Sequence, residues 1–401
     1  MSQTDQQLKK ILLLMPMLYA ASYWGMMKLV LPILPTLHHI FNTHKQHVYL
    51  SISLAYSVAG LSSLFWGLIL DKYNYKNVIP FVTLSSVILL FFCSLAPNIL
   101  IFSLIFISCC SLSNIFTVFS RWYPTHYLNN PSLIHQALSK RLVGGYSAAF
   151  ITPLLSGFIL EYIGWRYVFS IMITWFLIVL YIQHMVNKLT PKIEAPFHDK
   201  PFSLSAFSYC LSNKRFLTST VSYAITQLTT SSYLISLPFW LDSLYNIKAK
   251  WIAWYLLPIL MPCATIPLAA PTLYKQYSPS ILAKYTIFLL IIAGLSFFFI
   301  ASNKQSPSLL YIFPGMLITS STAILSSRLT SQALSSINQY HGTASGLLSS
   351  IPYVAGGLGA YIVLSITHIA IIYEAAYLLI ISILLFFFLK KSTQLNKPHS
   401  V

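Results

Sequence analysis

The stretch from Gly67 to Lys76 reads GLILDKYNYK, and it decides the fold because of what lies on either side of it. A long apolar segment precedes it and another follows it, so it is a short polar turn between two hydrophobic helices. A small residue such as Gly67 lets two helices approach closely. Asp71 is followed by the cations Lys72 and Lys76, and these charges can form ion pairs in one conformation and lose them in another. We therefore predict a conformational latch made of Gly67, Asp71, Lys72 and Lys76.

The composition indicates that lipid is the solvent of most of this chain. Hydrophobic residues make up 56% of the 401 residues and charged residues 8%, whereas a soluble domain carries about 25% charged residues. The mean hydropathy is +0.71. The five cysteines form no CxxC pattern and no paired framework in the sequence, so they indicate neither disulfides nor a metal site.

Apolar segments long enough to cross a bilayer recur along the chain. A spanning helix needs about 20 apolar residues, because its backbone polar groups must be satisfied within the segment. One long polar stretch divides six such segments from six. The sequence therefore predicts an all-α membrane protein with twelve transmembrane helices, arranged as an N-terminal six-helix half (1–186), a cytoplasmic linker (187–215) and a C-terminal six-helix half (216–401). The predicted spans are 11–37, 48–70, 78–96, 99–120, 143–163, 167–186, 216–240, 251–273, 280–300, 308–327, 343–366 and 372–389.

The lysines and arginines that give the net charge of +17 are distributed as this predicted topology requires. With the N-terminus inside, the inner loops and tails carry most of the lysines and arginines, as the positive-inside rule requires. The outer loops carry only Lys45, Arg166, Lys248, Lys250 and Lys304. We therefore predict a multi-pass protein of the bacterial inner membrane with both termini in the cytoplasm, in contact with the lipid bilayer and with no nucleic-acid partner.

Predicted helix five combines glycines with a proline. Gly145, Pro153 and Gly157 allow bending and close helix packing, so we assign them a gating role. The helix is followed by the sequence GWRYVF at 164–169.

These motifs resemble those of the major facilitator superfamily. The stretch 67–76 is similar to the GxxxD(R/K)xxxR/K loop of that superfamily, with lysines in place of arginines, and 144–169 is similar to the antiporter signature of its exporters. Four further segments resemble the Bcr/CflA (bicyclomycin-resistance) branch of drug:proton antiporters: LPILP at 31–35, Ser120–Arg121, SYLISLPF at 232–239 and GTASG at 342–346. The resemblance implies two six-helix halves that rock around a central site, with protons as the coupling ion.

The sequence departs from that branch in two places. Lys28 stands where the branch carries an acid before the proline pair, and Phe106–Cys110 lacks the Arg and Gln of its helix four. Among the seven acids, Glu374 is the one placed near the membrane: it lies two residues into predicted helix twelve, and we expect it at the membrane interface. No carboxylate is predicted at mid-membrane to carry a proton.

Lys28 is the cation that the sequence places well inside a predicted span. Trp24, one helical turn before it, shares its face of the helix. A lysine in a cavity without a neighbouring acid favours an anionic group on the substrate. A lysine near the outer interface can instead extend to the headgroups. Both interpretations stay open at this point.

Polar and aromatic residues on the predicted cavity helices complete the candidate substrate site, although each can equally serve helix packing. Besides Lys28 and Trp24 they are Tyr56, Asn114, Tyr146, Gln227, Tyr233, Trp254 and Tyr353. Four histidines cluster in the first outer loop, at His38, His39, His44 and His47. No acid or cysteine there completes a metal shell, so we predict no metal site.

The sequence contains no GxxxxGK[ST], GxSxG or HExxH, so we predict no ATP-driven transport, no cofactor and no enzymatic activity. The predicted function is secondary active transport of a small organic solute by a monomer, as an exporter of the drug or metabolite type. The alternative is transport, in either direction, of an anionic metabolite such as a carboxylate siderophore, bound through Lys28. A non-transporting receptor or membrane enzyme on the same scaffold is a third interpretation, which the predicted latch argues against.

Overall fold

The computed structural model describes residues 3–127, 131–189, 204–303, 305–337, 340–367 and 371–394, and the regular elements within them are all helical. Short 3₁₀ segments occur at Leu31–Ile33, Trp165–Phe169 and Ser308–Tyr311. The α-helices are α1 (Gln3–Leu29), α2 (Leu34–Ile40), α3 (Lys45–Lys72), α4 (Tyr75–Ser94), α5 (Ile99–Ser113), α6 (Ile115–Tyr127), α7 (Pro131–Tyr162), α8 (Ser170–Leu189), α9 (Leu204–Ser212), α10 (Lys214–Tyr245), α11 (Ala249–Gln276), α12 (Pro279–Ser302), α13 (Ile312–Ser335), α14 (His341–Thr367) and α15 (Ile371–Gln394).

Side-chain caps fix where several helices begin. The Asn74 side chain accepts a hydrogen bond from Lys76 N at 2.9 Å at the start of α4. Asn98 does the same for α5, and Asn213 accepts from two backbone amides at the start of α10. These bonds satisfy amides that have no partner within the first helical turn, so short polar turns separate long apolar helices.

Two predicted spans are interrupted. The first, 11–37, consists of α1, the 3₁₀ segment and α2, because Pro32 and Pro35 lack the amide that a continuous helix needs. The fourth, 99–120, breaks at Asn114 between α5 and α6.

Eleven helical stretches of the described residues are long and apolar enough to cross a membrane. Large apolar side chains such as Phe81, Leu100 and Phe299 are more than two-thirds exposed on their outer surfaces. Contiguous exposed apolar surface of this kind requires lipid around it. The described part of the chain is therefore that of a multi-pass membrane protein.

The predicted span 216–240 lies within α10, which is not among these eleven stretches. Its interior is rich in buried hydroxyl side chains, which are Thr218, Ser219, Thr220, Ser222, Thr226, Thr229, Thr230, Ser231, Ser232 and Ser236. Most of them donate to a carbonyl one turn earlier in the same helix, as Thr220 does to Phe216 O at 2.8 Å. Thr230 also lies 2.5 Å from Thr322 of α13. The helix is thus polar in composition but surrounded by other helices.

Glycine contacts bring helices of the two predicted halves together. A Cβ on Gly60 of α3 would lie 2.9 Å from Tyr353 Cβ and 3.0 Å from Ser350 O of α14. A Cβ on Gly157 of α7 would lie 2.8 Å from Ala253 Cβ of α11. Only glycine fits such close approaches, and they hold α3 against α14 and α7 against α11.

The polar stretch 187–215 is described only at its ends, and residues 190–203 lie outside the described residues. Its C-terminal end forms α9, whose Cys210 is fully buried. Asn213 Nδ2 donates to Ser336 O at 2.8 Å, which ties the start of α10 to the end of α13.

Candidate substrate site

Lys28 lies near the end of α1 and turns toward α3. Its Nζ donates to Tyr56 Oη at 3.0 Å and lies 5.5 Å from the centre of that ring. The side chain is partly buried. The ion pairs seen among the described residues all involve Glu161, so the described contacts of Lys28 include no carboxylate. The hydrogen bond to the Tyr56 hydroxyl therefore holds the Lys28 ammonium group against α3.

Trp24 and Tyr146 form the adjoining wall. Their rings meet edge to face with centroids 4.6 Å apart, and the Tyr146 hydroxyl lies 3.3 Å from Ser326 Oγ of α13. Tyr146 also packs against Cys263 of α11, and the charge of Lys28 acts on the same cysteine. The wall thus joins α1 and α7 to α11 and α13.

Two buried arginines lie near the tyrosines of this region. Arg121 of α6 is 6% exposed, and its Nη1 donates to Ser349 Oγ of α14 at 2.5 Å. Arg141 of α7 is 5% exposed, and its Nε donates to Ser120 Oγ at 2.7 Å. The two guanidinium groups act on each other electrostatically. Their described hydrogen-bond partners are neutral serine hydroxyls.

Buried tyrosines connect Lys28 with the arginines. Tyr353 of α14 lies near Tyr56 and near both arginines. Its ring meets that of Tyr23 edge to face at 5.4 Å. Tyr223 of α10 is also near both guanidinium groups. We refer to these connected side chains as the central cluster, which comprises Trp24, Lys28, Tyr56, Arg121, Arg141, Tyr146, Tyr223 and Tyr353.

Four of the predicted site residues therefore come together, namely Lys28, Trp24, Tyr56 and Tyr146. Tyr353, also named from the sequence, belongs with them. The central cluster combines three cations with hydroxyl groups, and it contains no acidic residue. Chemically, it can neutralise and hydrogen-bond an oxyanion.

Four predicted site residues lie elsewhere. Asn114 is buried at the break between α5 and α6, where its amide donates to Ala59 O of α3. Tyr233 donates to Tyr311 O and packs in an aromatic group with Trp240 and Phe297. Both contacts join neighbouring segments of the protein, so packing between helices accounts for Asn114 and Tyr233.

Trp254 is 47% exposed and meets Phe158 edge to face at 6.4 Å. It lines a pocket of about 700 Å³ near the start of α11, together with Trp251 and Tyr255. Gln227 of α10 is partly buried, and its backbone carbonyl faces Gly356 of α14. Neither residue is among the contacts of the central cluster.

The three predicted gating residues of helix five have different surroundings. Gly145 faces Trp24 of α1, 3.3 Å from the position of its missing Cβ, and Pro153 is buried within α7. Gly157 packs against α11 instead. One turn beyond it, Glu161 Oε1 lies 3.1 Å from Lys250 Nζ and 3.8 Å from Lys248 Nζ. The contact between α7 and α11 is therefore reinforced by ion pairs at this end.

The predicted latch lies where α3 ends and α4 begins. Gly67 is buried in α3, and Lys72 Nζ lies 5.7 Å from the ring of Tyr73. The Asp71 side chain lies outside the described residues, so its ion pairs with Lys72 and Lys76 stay a prediction.

Glu374 does not lie at an exposed interface. It is 0% exposed in the first turn of α15, and Ser236 Oγ of α10 donates to its Oε1 at 2.7 Å. Its Oε2 makes no hydrogen bond of normal geometry, although the Trp240 side chain lies close to the carboxyl group. The sequence could not reveal this burial, because an acid near the start of a helix usually faces headgroups or water.

Arg121 and Arg141 count among the inner-end cations of the predicted topology, and neither is among the candidate site residues predicted from the sequence. Both follow or precede a long apolar segment at a predicted inner end, which is where the positive-inside rule expects exposed cations. A faint signal existed for Arg121, because Ser120–Arg121 is part of the resemblance to a transporter branch. Arg121 contacts Ser349 of α14, which is 228 residues away in the chain.

Together, the long apolar helices and the buried cationic centre define a polytopic membrane protein with an internal polar site. Residues 16–360 match the family model described as Major Facilitator Superfamily. A comparison with curated proteins finds no match. Because the family match extends over most of the chain, the protein belongs to the Major Facilitator Superfamily, and it is a secondary transporter of the general kind that this family comprises.

Proposed function

We propose that the protein transports a small organic anion across the bacterial inner membrane by alternating access. The observation that carries this proposal is the 3.0 Å hydrogen bond from Lys28 to Tyr56, in a central cluster that contains cations and hydroxyls but no acid. A partly desolvated ammonium without a carboxylate partner is stabilised by an anionic ligand. A lipophilic cation would be repelled by the same group.

The proposal includes twelve membrane-spanning helices in two six-helix halves, with α10 as the seventh. The 32 residues of α10 extend for about 48 Å, which exceeds the thickness of a bilayer core. α10 packs on α13, α14 and α15, so its polar side chains avoid lipid. We further propose that the protein acts as a monomer, with both termini in the cytoplasm.

The resemblance to the Bcr/CflA branch favours export as the direction, and it supports a second candidate function, export of uncharged or cationic drugs. The antiporter-like sequence of helix five supports that candidate. Lys28 argues against it, because the branch carries an acid at the corresponding position and this chain carries a cation.

For the coupling ion, we propose protons bound by Glu374. Glu374 is fully buried beside Ser236 and Trp240, and binding a proton removes the cost of burying a charge there. It would have to gain access to water to release the proton. A conformational change that opens the outer ends of α10 and α15 would provide that access.

The decisive experiment compares an anionic and a cationic probe across Lys28 variants in membrane vesicles. Lys28→Ala should raise KM for an anionic substrate about tenfold to hundredfold, since a hydrogen bond to a charged group contributes about 1.5–3 kcal/mol. Lys28→Arg should recover part of this loss, because a planar fork replaces a compact ammonium. Transport of ethidium should be unchanged or increased in Lys28→Ala.

Lys45→Ala provides the matched control, because Lys45 begins α3 and lies outside the central cluster. Equal effects of Lys28→Ala on both probes, or no effect on either, would refute an anion site at Lys28. A large rise in ethidium export in Lys28→Asp, together with loss of anion transport, would show that this position selects the charge of the substrate.

A further inference from the structure

We propose that Arg121 and Arg141 form a second oxyanion-binding subsite, on the inner side of Lys28, and that the substrate carries two separate anionic groups. This inference rests on the proposed function and names the class of substrate. One anionic group would contact Lys28 and Tyr56, and the other would contact the two guanidinium groups.

The burial of both arginines requires compensation. Removing a guanidinium from water costs several kcal/mol unless a partner of opposite charge compensates for it. Arg121 and Arg141 are each at least 94% buried and lie close enough to repel each other. Serine hydroxyls at 2.5 and 2.7 Å supply hydrogen bonds but no negative charge. Among the described contacts, no negative charge therefore balances the two guanidinium groups.

The sequence leaves few carboxylates that could complete it. Between Asp71 and Glu161 there is no acidic residue, so neither α6 nor the start of α7 supplies one. Asp71 belongs to α3, in which Gly60 packs at the level of Ser350. From Gly60 to Asp71 the helix advances by about 16 Å, away from the Arg121 contact with Ser349. The tyrosines near Arg141 are neutral groups.

Each guanidinium group also has a nitrogen donor that no described acceptor satisfies. Arg121 Nε and Arg141 Nη2 are buried and have no hydrogen-bond partner. Unsatisfied buried donors are costly, and an oxyanion accepts from a guanidinium fork with favourable geometry. Both guanidinium groups are near Tyr223 and Tyr353, so these donors suit the oxygens of a carboxylate, phosphate or sulfate group.

The distance between the two cationic regions sets the size of the substrate. Tyr56, the partner of Lys28, is four residues before Gly60, which packs against Ser350, the residue after the Arg121 partner Ser349. Four residues correspond to about 6 Å along α3. Tyr353 is near Tyr56 and near both arginines. A short, flexible dianion, such as a dicarboxylate of intermediate chain length, can reach both regions at once.

The test uses the purified, full-length protein in lipid nanodiscs. Its thermal stability is measured with inorganic sulfate against chloride at constant ionic strength, and then with dicarboxylates from succinate to sebacate, because a ligand of the folded state raises Tm. Sulfate should stabilise the wild type, and the Kd derived from the shift should rise at least about tenfold in Arg121→Gln and Arg141→Gln. Lys28→Gln should retain the sulfate effect.

The dicarboxylates test whether the two subsites act together. An intermediate chain length should bind best to the wild type, and this optimum should disappear in Lys28→Gln and in Arg121→Gln. Arg166→Gln is the matched control, because Arg166 is exposed and stacks on Trp165, with the guanidinium 4.7 Å from the ring. This variant should bind like the wild type.

Sulfate stabilisation that persists in both arginine variants would overturn the inner subsite, and so would its absence from the wild type. If the glutamine variants fail to fold, Arg121→Lys and Arg141→Lys decide, because unchanged sulfate affinity in both would overturn the proposal. Loss of sulfate binding only in Lys28→Gln would also overturn it but leave the proposed function intact. The proposed function fails separately if Lys28 variants transport anions normally while the arginine variants lose sulfate binding.

Discussion

Glu161→Gln should open the side of the protein at which α7 and α11 are joined by ion pairs. Glu161 Oε1 contacts Lys250 Nζ at 3.1 Å and Lys248 Nζ at 3.8 Å. Glutamine keeps the size and polarity of the side chain but removes its charge. Both ion pairs are therefore lost, while the packing of Gly157 against Ala253 is retained.

The size of the effect follows from the exposure of the partners. The side chains of Glu161 and Lys250 are 22% and 24% exposed, so this pair is partly shielded from water. Lys248 is 71% exposed, and its longer contact contributes little. Exposed ion pairs contribute about 0.2–1 kcal/mol, and we use about 1 kcal/mol for this shielded pair. The ratio of open to closed molecules should then rise about fivefold.

Cys263 provides a native reporter for this opening. It is buried on α11 beside Tyr146 of α7, so separation of α7 and α11 should expose its thiol. A membrane-impermeant maleimide applied on the Glu161 side should modify it about five times faster in Glu161→Gln than in the wild type. Cys263→Ser is the background control, because any labelling that remains in this variant comes from the other cysteines.

Two lysine variants separate the contributions of the ion pairs. Lys250→Gln should accelerate labelling as much as Glu161→Gln does, and combining the two should add little, because both remove the same interaction. Lys248→Gln should have a much smaller effect. Cys263 labelling that proceeds at one rate in all these variants would show that the ion pair does not hold this side closed.

Three further predictions can be checked independently. Asp71→Asn should abolish transport while membrane expression stays near normal, and wild-type transport by this variant would remove the latch from the mechanism. Reporter fusions and cysteine labelling should place the 187–215 loop and both termini in the cytoplasm and His44 and Lys304 outside; a C-terminus on the outer side would refute the twelve-helix topology. Glu374→Gln should fold normally, because the amide can still accept from Ser236, but its transport should no longer depend on pH; an unchanged pH profile would exclude Glu374 as the proton carrier.

The fold was largely predictable because its signals are local. Apolar length, positive-inside charge and the turn at 67–76 each depend on neighbouring residues, and the match to the Major Facilitator Superfamily confirms the family that these motifs resemble. The exception is α10, because its composition is not strongly apolar. Residues 216–240, which were predicted as a span, are helical in the structure. Its burial by α13, α14 and α15 explains why a polar helix occurs there.

The candidate site was predictable only where its residues lie on one face of the same helix. Lys28 and Trp24 share a face of α1, and the sequence alone placed them together. The contacts that distinguish Tyr146 from Tyr233 join residues far apart in the chain, to Ser326 in one case and to Tyr311 in the other. The burial of Arg121 likewise depends on Ser349 of α14, and periodicity within α6 contains no information about that neighbour.

The polarity of α10 has a consequence for how the chain is made. During synthesis α10 emerges before α13, α14 and α15, the helices that later cover its hydroxyl side chains. A helix this polar gains little free energy from entering lipid by itself, because membrane insertion depends on apolar side chains. We therefore expect α10 to enter the bilayer fully only after α14 is available, so a nascent chain stopped before His341 should leave α10 exposed to modification from the aqueous side. Biogenesis of the second half would then be a concerted assembly rather than a helix-by-helix insertion.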